Sequence, residues 1–145
     1  MIGALRRKAV VGMAGVMLAV AACSSTPSEP LKIAAVDLTH EVDEHNEPRS
    51  ARETFAPTST IYASIAIEGT GKGTLDAKWT DPSGQEIANQ HQDINNAKPQ
   101  RYEIHIPPAE SSHRPLGRYR VIITLNGGKE AGATKNREFE IRVTQ

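Results

Sequence analysis

The densest set of potential ligands runs from Thr39 to Glu53, THEVDEHNEPRSARE, which places His40, Glu41, Asp43, Glu44, His45 and Glu47 within eight positions. Imidazoles and carboxylates together hold divalent cations, so a metal- or small-ligand-binding module built on His40 to Glu47 is the alternative reading of the chain. Structural zinc sites use tighter and better ordered spacings, and this run offers neither a cysteine nor a helix to align its two imidazoles. The expectation is therefore a solvated loop whose acids are partly balanced by Arg49 and Arg52, with no metal site assigned.

Two further stretches invite chemistry. Gly69-Thr70-Gly71-Lys72-Gly73 has the composition of a phosphate loop, but such a loop needs a following helix whose N-terminus meets the phosphate. The residues that follow read as a strand, which predicts a flexible turn and no cofactor. Ser111-Ser112-His113 sets hydroxyls beside an imidazole, yet a triad also needs a group to orient the base and an oxyanion hole. No G-x-S-x-G elbow occurs anywhere in the chain, and His91 and His105 fall on the polar sides of predicted strands. No catalytic residue is assigned, and the protein is read as non-enzymatic.

Cys23 is the one cysteine of the 145 residues. A single thiol cannot form an intramolecular disulfide, and exposed in an oxidising compartment it would be a liability. Ahead of it lie Arg6-Arg7-Lys8 and then an uncharged run from Ala9 to Ala22, the layout of a basic n-region and an apolar h-region. The 14 residues of that run, as a helix, would span about 21 Å. The hydrocarbon core of a bilayer is roughly 30 Å thick, so a cleaved signal fits better than a permanent span.

Val20-Ala21-Ala22-Cys23 resembles the lipobox of bacterial lipoproteins, an aliphatic residue and two small ones directly before cysteine. The resemblance implies a diacylglycerol on the Cys23 thiol, cleavage before that residue, and a further acyl group such as palmitate on the new amino terminus. Two or three acyl chains, at about 0.8 kcal/mol per buried methylene, make a stable membrane anchor. Ser24 follows in place of the aspartate that retains many such proteins at the inner membrane. The family pattern thus implies the periplasmic face of the outer membrane in a Gram-negative cell, or the outer face of the plasma membrane in a single-membrane one. Residues 1–22 are expected to be the signal peptide, and 23–30, SSTPSEP after the cysteine, a short Ser/Pro tether. Residues 31–145 are expected to form one domain.

Positioning elements follow from period-two alternation, which recurs throughout that domain with no sustained helical period. Ile61, Ala63, Ile65 and Ile67 share one strand face, as do Leu75, Ala77 and Trp79. Asp81-Pro82-Ser83-Gly84 is a strong turn signal, and Gln85 to Gln92 a polar edge strand. Tyr102, Ile104 and Ile106 face inward until Pro107-Pro108 ends the ladder; Tyr119, Val121, Ile123 and Leu125 repeat the pattern after Gly117. Asn126-Gly127 reads as a turn pair, and Phe139, Ile141 and Val143 point inward from a last strand. With Lys32 to Leu38 the chain has about seven strands, the arithmetic of an antiparallel β-sandwich.

Trp79 on the third strand, and Pro115-Leu116-Gly117-Arg118-Tyr119 entering the penultimate one as a tyrosine corner does, point to an immunoglobulin-like arrangement. Phe55 to Val143 resembles the Ig-like modules of bacterial envelope lipoproteins in Thr60-Ile61-Tyr62, in Trp79 followed by Gly84, and in Gly117, Tyr119, Val121 and Ile123. The antibody-type cysteine pair is missing, so the core must hold by packing alone.

Charge narrows the partners. The formal net charge is zero, but losing Arg6, Arg7 and Lys8 with the signal leaves 14 basic against 17 acidic residues. A processed chain of about −3, with no basic patch, is not suited to nucleic acid. The expected function is that of a lipid-anchored envelope module that binds or supports a protein partner. Its contacts are expected at sheet edges or at loops of one end, namely Gly69 to Gly73, Glu110 to Leu116 and Gly127 to Asn136.

Overall fold

A computed structural model describes residues 28–108, 110, 113–127 and 133–142. The described chain is all β. Its elements are β1 (Lys32–Thr39), β2 (Thr54–Phe55), β3 (Ile61–Glu68), β4 (Gly71–Thr80), β5 (Glu86–Asn96), β6 (Gln100–Ile106), β7 (Gly117–Asn126) and β8 (Ala133–Ile141). They form a three-stranded sheet, β1-β3-β6, and a five-stranded sheet, β2-β8-β7-β4-β5.

Among the described residues eight strands stand where about seven were expected. The addition is β2, two residues long and so too short to show any alternation, which pairs parallel to β8 through Thr54 with Glu140 and Phe55 with Ile141. The sheets are therefore antiparallel apart from this one edge. β8 also begins earlier than its apolar residues suggest. Ala133 to Asn136, expected as loop, pair with β7 from Leu125 to Ile122, because ladder hydrogen bonds hold a strand whose side chains stay in solvent.

The inward faces of the two sheets meet in one core, in which Ile61, Ala63, Ile65, Leu75, Ala77, Trp79, Val121, Ile123 and Leu125 are fully buried. Each side chain of the size of Val, Leu or Ile contributes about 1.5–3 kcal/mol when so removed from water. Phe139 and Ile141 join them as expected, whereas Val143 lies outside the described residues. Tyr102 is only half-buried, its hydroxyl donating to Asn96 Oδ1 at 3.0 Å.

Two poles follow from the registers. At the N-terminal pole Thr70 N donates to Glu29 O at 2.9 Å, and Asn96 Nδ2 donates to Gly69 O at 2.9 Å. At the distal pole lie the β4–β5 turn, the β6–β7 connection and the segment between β1 and β3. The loops expected to cluster at one end are in fact divided: Gly69 to Gly73 and Gly127 belong to the N-terminal pole, and Glu110 and His113 to Leu116 to the distal one. Hairpin spacing alone cannot reveal this, because β3 and β4 look like neighbours yet enter different sheets.

For the same reason Gly69 to Gly73 is no flexible turn. Gly71 onward is strand, and a Cβ on Gly69, whose φ is +82°, would sit 2.1 Å from the Pro30 carbonyl oxygen. Gly73 lies against the Asn126 carbonyl and Gly127, so these glycines permit backbones to touch where the chain crosses between sheets.

Candidate functional site

The distal pole is built from three local structures. The first is the β4–β5 turn. Asp81 Oδ1 accepts from the amides of Ser83 at 2.9 Å and Gln85 at 3.0 Å and from the Ser83 hydroxyl at 2.6 Å, while Gly84 takes φ +84°. These bonds, that of the Ser83 side chain above all, hold the Asp81 carboxyl below its usual pKa. Just beyond the turn Trp79 pairs with Ala88 but Thr80 pairs with Glu86, which leaves Ile87 as the extra residue of a β-bulge. A bulge re-aims its side chain, and Ile87 is 43% exposed.

The second structure is the end of β6, where Pro107-Pro108 stops the ladder as expected. The third is the return to β7. Arg114, 5% exposed, reaches back to donate to the carbonyls of Ser59 at 2.6 Å, Ile106 at 3.2 Å and Pro107. Its charge rests on peptide dipoles, with no carboxylate within ion-pair distance among the described residues, and burial lowers its pKa. Tyr119 is buried beside it and donates to Pro115 O at 2.7 Å; burial raises the phenol's pKa.

Between these structures lies a cleft of about 280 Å³, its apolar wall made by Ile87, Ala88, Ile106, Pro107, Pro108, Pro115 and Tyr119, with Asp81, Glu110 and Arg114 completing the lining. Leu116, 56% exposed, stands at the same pole. Ile87 and Leu116 are the large hydrophobic residues that the described surface exposes.

The Thr39 to Glu53 segment is an anchored loop. Asp43 Oδ1 accepts from the amides of His45 at 2.8 Å and Glu47 at 2.9 Å, Asn46 sits at φ +62°, and Val42 bridges to Pro48. Asp43's pKa is lowered, first by the Glu47 amide. Glu47 turns to Arg101 Nε at 2.9 Å, and Arg101 Nη1 also pairs with Asp37 at 3.0 Å. Arg49 does approach Glu41, at 3.6 Å. Arg52 instead ties its backbone amide to Leu38 O at 2.8 Å. His40 and His45 stay exposed, and among the described residues no three His, Cys, Asp or Glu side chains converge on a point that could hold a metal.

The remaining imidazoles are separated. His113 is exposed, while Ser111 and Ser112 lie outside the described residues. His105 Nδ1 meets Glu103 at 2.9 Å on the outer face of the three-stranded sheet. His91, on the outer face of β5, bonds Asp76, which also accepts from Asn126; the Asp76 bond raises the His91 pKa. Cys23, the residue with the most specific sequence signal, also lies outside the described residues.

Sequence reasoning did not single out Ile87 or Arg114. Ile87 is the one large aliphatic residue among the polar residues Gln85 to Gln92, which is a weak signal. Arg114 between His113 and Pro115 carries none, since its burial depends on contacts with Ser59, 55 positions away.

No family model matches the chain, and no curated protein matches it. Among solved structures, β-glucosidase from Listeria innocua is similar over 79% of this chain and 16% of its own, with a TM-score of 0.46 and 10% identity. Alkylpurine DNA glycosylase AlkC from Pseudomonas fluorescens, bound to DNA containing an abasic site analogue, is similar over 78% of this chain and 30% of its own, with a TM-score of 0.47 and 19% identity. The chain thus spans less than a third of either protein, and likeness at this level carries no functional argument.

Proposed function

We propose that the protein is a lipid-anchored component of the bacterial cell envelope, with an immunoglobulin-like β-sandwich that acts without catalysis by binding a protein partner. The lipobox resemblance at Val20-Ala21-Ala22-Cys23 supports the anchor. The facing sheets, Trp79 buried on the inner strand β4, and the Tyr119 to Pro115 bond where β7 begins support the immunoglobulin-like reading. Acidic balance after processing favours protein over nucleic acid as the partner.

The observation that carries this reading is polarity. Glu29 and Pro30 enter the fold at one pole, whereas Ile87, Leu116 and the cleft lie at the other. The ten residues of β4 set these poles about 30 Å apart. An anchor at Cys23 would therefore hold the apolar pole away from the lipid, toward the periplasm in a Gram-negative cell.

The test has two arms. Growth with an alkynyl palmitate should label the wild-type chain and leave Cys23→Ala unlabelled, the latter remaining in the soluble fraction. A photo-crosslinker at Leu116 should then capture protein in intact cells. Equal labelling of Cys23→Ala removes the anchor, and adducts to lipid alone remove the protein-binding role.

A further inference from the structure

An exposed strand edge is a row of unpaired backbone donors and acceptors, and natural sheets protect such rows. This fold protects three of its edges. β1 is covered by Arg137, whose Nε donates to Val36 O at 2.6 Å. β2 is two residues long, and β6 is stopped by Pro107-Pro108 after seven. β5 is treated differently. It is the longest strand, 11 residues, EIANQHQDINN, and contains no Lys, Arg or Pro. It ends the five-stranded sheet, and its bulge sits at its very start, so Ala88 to Asn96 run in unbroken register with β4.

Among the described residues, the backbone of Glu86 to Ile94 makes no hydrogen bond beyond β4, the first bond on that side being from Gln100 Nε2 to Asn95 O. The gap to β6 is bridged by an inward side chain instead. Gln90, which accepts from Trp79 Nε1 at 2.8 Å, donates to His105 O at 2.7 Å. That bond ties β5 to β6 through a side chain and leaves the main chain of Glu86 to Ile94 bonded to β4 alone among the described residues.

The cleft begins where this edge begins. Ile87 and Ala88, the bulged residue of β5 and the paired residue after it, form part of its apolar wall. The exposed carboxylates beside edge and cleft, Asp81, Glu110 and Asp93, make no ion pair with Lys or Arg among the described residues, and the cation of the cleft lining, Arg114, is turned onto backbone carbonyls. Asp93 is almost fully exposed, with His91 as its neighbour at 3.7 Å. Glu86 alone is offset, by Lys78 at 3.4 Å.

We infer that the β5 edge accepts an extended segment of a partner protein as an added strand, with one apolar side chain of that segment seated in the cleft between Ile87 and Pro107 and with lysine or arginine flanking it. The inference rests on the protein-binding reading above and names the chemistry of its partner. Main-chain bonds along β5 give affinity, and the cleft and the carboxylates select the sequence, which is the division of labour in β-strand addition. Asp93 lies six positions beyond Ile87, about 20 Å of extended chain, so a heptapeptide with its apolar residue at the cleft end reaches the far carboxylate.

The experiment uses the full-length lipoprotein in detergent and a synthetic heptapeptide with a terminal leucine followed by lysine alternating with valine. Binding is followed by anisotropy of a labelled peptide, and the contacted strand by hydrogen exchange. The expected result is saturable binding with new protection in β5. An otherwise identical peptide N-methylated at alternate residues should bind about tenfold more weakly or worse, having lost one or more main-chain bonds. Replacing its lysines by glutamate should have a similar effect.

Ile87→Asp should weaken binding, and Asp93→Lys, on an exposed side chain, should do so without touching the core; unchanged Trp79 emission confirms that either variant is folded. Equal binding of the N-methylated peptide, protection elsewhere than β5, or no binding overturns the inference. So does a dimer whose β5 amides are already protected, since a second copy would then occupy the edge. A protein crosslinked through Leu116 in cells alongside a negative peptide result would leave the protein-binding reading standing and remove strand addition alone.

Discussion

The Tyr119 hydroxyl donates a 2.7 Å hydrogen bond to the carbonyl of Pro115, four residues earlier in the chain. The same ring stacks on Phe139 with centroids 5.4 Å apart, so one side chain fastens the β6–β7 connection to the core. Tyr119→Phe keeps the stacking and deletes the bond. It should cost about 0.5–1.5 kcal/mol, rising to about 3 if the Pro115 carbonyl is left without water. Urea unfolding should show a lower midpoint at unchanged slope; a midpoint equal to wild type would mean that the bond contributes nothing to holding the corner.

Trp79 is buried on all sides, edge-on to Phe139 at 5.9 Å, and its indole donates to Gln90. Trp79→Ala should therefore destabilise by about 3–5 kcal/mol. Trp79→Phe retains most of the volume but strands Gln90, and should cost less. Since this is the one tryptophan of the chain, its fluorescence reports unfolding directly, while far-UV dichroism follows the variants that lack it. A near-neutral Trp79→Ala would place the indole outside the packing core.

Most of what alternation can encode was legible. Ile61 to Ile67, Leu75 to Trp79 and Tyr119 to Leu125 had to face inward, because a strand with every second residue aliphatic has only one apolar side to bury. The edge position of β5 followed from its polarity. What sequence could not convey were relations set by distant partners. β2 exists because β8 offers it a ladder; Ile87 is turned outward because Trp79 and Thr80 fix the register around it. Likewise Gly69 and Gly73 look loose in isolation and are tightly packed once Pro30 and Asn126 are in place. Of the candidate site, the acidic loop was visible as composition and the cleft was not, since its walls come from strands of both sheets.

His91 supplies a pH prediction. Its pKa is raised above the ordinary 6.5, first by the bond to Asp76 and then by the charges of Asp76 and Asp93. A raised folded-state value means that the stabilisation is complete below about 6.5 and fades as pH climbs through the higher value of the native imidazole. Asp43 and Asp81, held below 3.8, act in the opposite sense and lose their contribution only as pH falls through their own lowered values. Proton NMR should find His91 titrating above an ordinary histidine, and Asp76→Asn should return it toward 6.5. An unchanged His91 titration in that variant would show that Asp76 is not the cause.

Arg114 places a buried cation against three backbone carbonyls, that of Ser59 on the β2–β3 connection and those of Ile106 and Pro107 at the end of β6. A guanidinium suits this task because its planar fork donates in several fixed directions, whereas an ammonium on a flexible stem cannot reach all three at once. Arg114→Met should fill the space yet leave those carbonyls unanswered, at a cost of about 2–4 kcal/mol, and Arg114→Lys should recover only part of it. Stability should therefore fall in the order Arg, Lys, Met, and limited proteolysis should cut first between Pro107 and Gly117 in the weakened variants. The cleft wall would loosen with that connection, because Pro107 is held in place by the same guanidinium that closes the end of β6. If Met proved as stable as Arg at this position, packing of the side-chain stem rather than its hydrogen bonds would be what fixes the pole.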